Sequence, residues 1–148
     1  MATVFPFFGP LANRSGTMPV AVTGRLDGTI GDSTTTSFSF GGYPRKAAIS
    51  RFILSQRVLA TSASALTCVI QKYDASANAA VVLTAAVNLL TTDAVAREGT
   101  VVDLLSTLTQ AQRTLDVGDT LEVLVTAAGI VTGQPTDFFC TAELLVLE

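Results

Sequence analysis

The stretch that decides the fold is ISRFILSQRVLA, residues 49–60, in which apolar and polar side chains alternate with a period of two. On an extended chain, Phe52 and Leu54 point to one side. Arg51 and Arg57 point to the opposite side. This alternation predicts a strand with one face buried in a core and the other face in solvent.

Four further runs repeat the same alternation along the chain, and we predict that each forms a strand. They are residues 66–71, 81–87, 121–126 and 138–147. Turn-forming residues separate the runs, as at 73–76, 116–119 and 133–136. Short strands with such punctuation predict an all-β fold, an antiparallel β-sandwich of jelly-roll type over residues 35–148.

Two segments also have a composition that favours helix. Residues 77–90 and 101–113 are rich enough in Ala, Leu and Gln to form helix by propensity. We predict a strand in the first segment and allow a helical turn at 104–112 in the second.

Residues 1–34 differ from the rest, since they hold three of the chain's five prolines and several glycines. Such frequent punctuation predicts an extended N-terminal arm, in which Asp27-Gly28 could close a short hairpin. Aromatic and proline residues crowd its beginning, and exposed aromatic clusters mark contacts between proteins. The arm is therefore a candidate interface with a neighbouring protein, although it could also fold back as a lid on its own sandwich. The candidate residues are Phe5, Pro6, Phe7, Phe8 and Pro10.

The composition argues against an enzyme. The 148 residues include no histidine, which removes the usual acid–base group and the commonest metal ligand. We expect no catalytic residues, no metal and no cofactor. Asp116, Asp119 and Glu122 could be viewed as a carboxylate cluster of a glycoside hydrolase, but the spacing is that expected of a turn leading into a strand.

Charge is scarce, at 14% of residues with a formal net charge of −3. The lysines are Lys46 and Lys72, and the arginines are scattered along the sequence, so there is no basic stripe that could bind the phosphates of a nucleic acid. We expect no nucleic-acid partner, no signal peptide and no membrane-spanning segment. A surface so poor in charge suits contact with other protein.

Two features allow two interpretations each. Cys68 and Cys140 both occupy inward-facing positions of predicted strands, which favours buried thiols over a disulfide. Arg45 and Lys46 form the one dense positive cluster and are further candidate interface residues. With the arginines of the strand that follows, they either pair with carboxylates of a partner subunit or belong to a solvated face.

The order of these elements resembles the β-sandwich domains of tailed-bacteriophage virion proteins over residues 45–148. In those domains the motif A-G-D-x-L-x-V-x-V precedes the last strand, and here VGDTLEVLV, residues 117–125, occupies it. Val117 stands where alanine is usual.

The resemblance implies a virion component, and such domains occur in capsid decoration (cement) proteins, head fibres and tail adhesins. A single domain with an arm and no long fibre repeats is most like a decoration protein. This implies a homotrimer bound to the major capsid protein on the outer capsid surface, made in the host bacterial cytoplasm. The alternative is a head-fibre or tail adhesin that binds a receptor, but a chain without Trp offers few aromatic platforms for glycans.

Overall fold

The computed structural model of the protein describes residues 19–41, 44–58, 65–89, 99–129 and 136–147. The secondary-structure elements whose bounds can be given are strands, and the described residues contain no helix suited to crossing a membrane. The strands are β1 (Pro19–Thr29), β2 (Thr34–Gly41), β3 (Ala47–Val58), β4 (Ala65–Asp74), β5 (Ala79–Val82), β6 (Val87–Asn88), β7 (Thr100–Asp103), β8 (Thr114–Leu115), β9 (Thr120–Ala128) and β10 (Thr136–Val146).

The strands build two antiparallel sheets. Sheet A has the order β1-β10-β3-β7, with β8 also paired to β3. Sheet B has the order β2-β9-β4-β5, with β6 also paired to β4. The chain alternates between the sheets over β1 to β4, and β9 and β10 return to insert between those strands. This is the jelly-roll arrangement, so the predicted β-sandwich is confirmed.

The core lies between the sheets and follows from the period-two pattern. Phe52 and Leu54 of β3 are fully buried, as are Leu121 and Val123 of β9. Because successive side chains of a strand point to opposite faces, each long strand supplies apolar groups to the core from alternate positions. Phe138 of β10 is among the largest of the buried side chains.

The described part of the predicted arm lies in sheet A. Strand β1 pairs with β10, with Val22 opposite Ala142, and its apolar side chains pack against the core. The predicted hairpin at Asp27-Gly28 is not formed. The pairing register shifts between Leu26 and Thr29, and Gly28 adopts a φ of 89° in this bulge. Apolar contacts on the core side therefore decide the path of the chain here, and the Asp-Gly pair only interrupts the ladder.

The two ambiguous segments are both irregular. The predicted strand at 81–87 is broken after β5, where the buried Thr84 hydroxyl accepts a hydrogen bond from the backbone N–H of Ile70 at 3.0 Å. This side-chain bond takes the place of a ladder bond, so the chain leaves the sheet before β6. The helical turn allowed at 104–112 is present, since the N–H of Leu108 donates to the carbonyl of Leu104 at 3.0 Å.

Candidate interaction surface

The outward face of sheet A carries charged side chains that pair within the chain. The guanidinium of Arg51 donates two hydrogen bonds to the carboxylate of Glu143, at 2.6 and 3.0 Å. These bonds raise the pKa of Arg51 above its ordinary value. On the same face, Arg57 lies 3.3 Å from Asp137. The charges of these arginines are thus balanced without a partner subunit.

One residue of the positive cluster before β3 also forms an ion pair within the chain. The ammonium of Lys46 lies 3.1 Å from the carboxylate of Asp116, with side chains 52% and 64% exposed. An ion pair so exposed contributes about 0–1 kcal/mol. Arg45 is exposed. Both candidates therefore lie on the surface, on the turn that leads into β3.

The aromatic candidates of the arm lie outside the described residues, and their role as an interface stays a prediction. They are Phe5, Pro6, Phe7, Phe8 and Pro10.

The outward face of sheet B is nearly without charge. Of the described residues that point outward from its strands, Glu122 is the charged one, and it accepts a hydrogen bond from the amide of Gln71. Leu124 and Val69 lie side by side at its centre, and Val82 at its edge is 59% exposed. Most of the remaining positions carry hydroxyl groups or small apolar side chains, among them Thr35, Ser37, Ser39, Thr67, Ala80 and Thr126, and Tyr73 and Asn88 also point outward.

The edge strands of the two sheets differ in how well they are protected from pairing with another chain. Strands β5 and β7 are only four residues long, and β1 contains Pro19, two charged residues and a bulge. Short length, charge, proline and bulges are the features that protect a strand edge from pairing with another chain. Strand β2 has none of them, because its eight residues, TTTSFSFG, are uncharged and pair with β9 without a register shift.

An aromatic pair supports β2 from the core side. Phe38 and Phe40 stack with ring centroids 6.2 Å apart, and both are only half-buried. Gly24 of β1 faces these rings so closely that a Cβ atom at this position would overlap the ring of Phe40. The sequence analysis missed β2, although the alternation in residues 37–40, SFSF, is a strand signal of period two.

The carboxylates near the motif at 117–125 support a turn and are not an acid–base pair. Asp119 is 2% exposed, and its two oxygens accept backbone hydrogen bonds from Asp116 and from Ala75, each at 3.0 Å. Asp116 pairs with Lys46, and Glu122 points outward from sheet B. Within the described part of the chain, no group of three or more Cys, Asp or Glu residues could hold a metal ion.

Three other aspartates have a pKa below its ordinary value because each carboxylate accepts local hydrogen bonds. For Asp74 the main cause is the hydroxyl of Ser76. For Asp103 it is the backbone N–H of Leu105. For Asp137 it is the backbone N–H of Gly28, with a smaller effect from Arg57. These carboxylates hold turns and a bulge in place.

The cysteines are buried free thiols, as the sequence analysis favoured. Burial raises the pKa of Cys68 to about 12 and also raises the pKa of Cys140, to which the neighbouring Cys68 contributes. Since the thiolate is the reactive form, neither thiol is a nucleophile at neutral pH.

Comparison with known proteins identifies no family for this chain. No protein-family model and no curated protein matches this chain. One solved structure, titled "Structure of infectious bursal disease virus Gx strain", matches with a TM-score of 0.40 and 14% identity. The match covers 87% of this chain and 32% of that one, so this chain spans about a third of its length.

Proposed function

We propose that this protein is a structural virion protein that binds the outer surface of a phage capsid and stabilises the shell. Its partner is the major capsid protein, and it acts as a homotrimer. The observation that carries the proposal is the outward face of sheet B, where Glu122 is the charged residue among the described positions. A face of hydroxyl and aliphatic groups costs less to desolvate than a face with unpaired charges when another protein covers it.

The mechanism is repeated burial of such faces. Buried apolar area contributes roughly 25 cal/mol per Å² before the cost of association is subtracted. Many symmetry-related copies, each with a modest contact, can therefore clamp a shell that one contact could not. The jelly-roll fold is compatible with this role but is not specific to it, because the same fold also occurs in lectins and cupins.

Two threonines in equivalent settings provide a matched test. Thr126 lies on the outward face of sheet B, and its hydroxyl bonds to that of Thr35 at 2.8 Å. Thr23 lies on the outward face of sheet A, and its hydroxyl bonds to that of Thr141 at 2.9 Å. Thr126→Lys and Thr23→Lys therefore remove the same kind of bond and add the same charge on opposite faces.

The experiment is co-sedimentation of each variant with capsids stripped of this protein. We expect Thr126→Lys to lose capsid binding by about tenfold or more, because its ammonium would have to be desolvated in the contact. Thr23→Lys should bind as the wild type does. Equal binding by both variants would show that the outward face of sheet B does not contact the capsid. Failure of the wild-type protein to bind capsids, with binding to host cells instead, would support the adhesin alternative.

A further inference from the structure

The free edge of β2 is a second surface with a distinct chemistry. Within the described residues β2 ends the order of sheet B, so no strand pairs with its other side. The backbone N–H and C=O groups on that side can accept an added strand. Because the other sheet edges are short or carry charge, proline or a bulge, β2 is the edge at which an added strand meets no such obstacle.

We propose that the occupant of this edge is β2 of a second copy of the chain, paired antiparallel about a two-fold axis. This contact joins the B sheets of two copies into one continuous sheet. It closes with two copies, so it differs from the contact that would form a homotrimer. The proposal does not rest on the proposed capsid function.

The sequence of β2 is complementary to itself in this arrangement. Opposite residues of an antiparallel pair share a face, so pairing about Phe38 places Ser37 opposite Ser39 of the second copy. Hydroxyls then meet hydroxyls on the outward face. On the core side, Phe38 meets its own counterpart, and Thr36 lies opposite Phe40. No side chain on either face brings a charge to the new contact.

Charge and exposure favour a second copy as the occupant. Glu122 lies one strand inward, opposite Ser39, so the two copies of this carboxylate would be separated by both β2 strands. At a strand spacing of about 4.8 Å this is three steps, about 14 Å, beyond the screening length at physiological salt. The half-buried rings of Phe38 and Phe40 would be covered by the same rings of the second copy.

Charge exchange on the outward side of β2 tests the proposal. Two variants are required, Ser37→Lys with Ser39→Lys, and Ser37→Glu with Ser39→Glu. Each variant places like charges opposite each other whether the pair is centred on residue 37 or 38, which disfavours pairing. The matched control is Ala21→Lys with Thr23→Lys, which adds the same charge to outward positions of β1.

Mass in solution, measured by light scattering without capsids, is the readout. We expect the wild type to have an even number of 15.4 kDa copies, and each β2 variant to have half the wild-type mass. An equimolar mixture of the lysine and glutamate variants should recover the wild-type mass, which a folding defect could not do. The β1 control should keep the wild-type mass.

Three outcomes would overturn the proposal. They are a wild type that is monomeric at all concentrations, a mass that the β2 charges do not change, and a mixture that stays at half mass. If the monomeric wild type binds capsids and the β2 variants do not, the edge receives a strand of another protein. Because the mass is measured without capsids, failure of this proposal is distinguishable from failure of the capsid function.

Discussion

At the scale of single residues, short polar side chains hold turns in place through hydrogen bonds that the sequence pattern does not show. Asp119 joins two turns by accepting backbone hydrogen bonds from Ala75 and Asp116. The G-D step of the motif at 117–125 is therefore explained by the turn geometry. Gly118 adopts a φ of 94°, a left-handed conformation that favours glycine, and the aspartate follows it into the strand.

We predict that Asp119→Ala lowers the free energy of unfolding by about 2 kcal/mol, because two backbone N–H groups lose their acceptor. Asp116→Ala is the matched control, since it removes only an exposed ion pair and should cost about 0–1 kcal/mol. Urea denaturation of both variants measures the difference. Equal losses would show that the buried carboxylate does not hold the turns.

At the scale of elements, the approach of β1 to β2 depends on a missing side chain. Gly24 lets the two strands close one side of the sandwich over the rings of Phe38 and Phe40. This contact joins the part of the chain predicted as an arm to the opposite sheet. The absence of a Cβ atom at Gly24 thus sets how closely the two sheets approach on this side of the sandwich.

We predict that Gly24→Ala destabilises the fold by about 1–3 kcal/mol, because the added methyl group overlaps the ring of Phe40. Combining it with Phe40→Leu, which makes room, should recover part of that loss. Thermal or urea unfolding of the two single variants and the double variant gives the coupling energy. Purely additive losses would contradict the proposed contact between Gly24 and the ring.

At the scale of the whole molecule, the acid–base behaviour follows from the absent histidine and the hydrogen-bonded aspartates. The pKa values of Asp74, Asp103 and Asp137 lie below their ordinary value. A carboxyl whose pKa is lower in the folded state than in the unfolded state stabilises the fold above the unfolded pKa, about 3.9. This stabilisation is lost as the pH falls through the lowered folded pKa.

We predict that the free energy of unfolding is nearly constant between pH 5 and 8, because the chain has no histidine to titrate there. It should fall below about pH 4. In Asp137→Asn the fall should be smaller, since one of the three carboxyls no longer titrates. Urea denaturation across this pH range is the measurement. A change between pH 5 and 8 as large as the change below pH 4 would contradict the prediction.

The sequence by itself determined the all-β class, the strands around Phe52, Leu121 and Phe138, and the burial of both cysteines. It could do so because period-two alternation is a local signal that survives in any sandwich. The same alternation predicted a strand at 81–87, but a single buried hydroxyl, that of Thr84, interrupts it. Local patterns do not contain the hydrogen bonds that compete with a ladder.

Only the tertiary structure decided where the scarce charge lies. The arginines and carboxylates of β3 and β10 meet on the outer face of sheet A because of the pairing register, so they balance each other within the chain. The outward face of sheet B is left with Glu122 as its charged residue, and β2, which ends that sheet among the described residues, carries no charge. A sequence states how many charges a chain has, whereas strand order and register decide which face is without them.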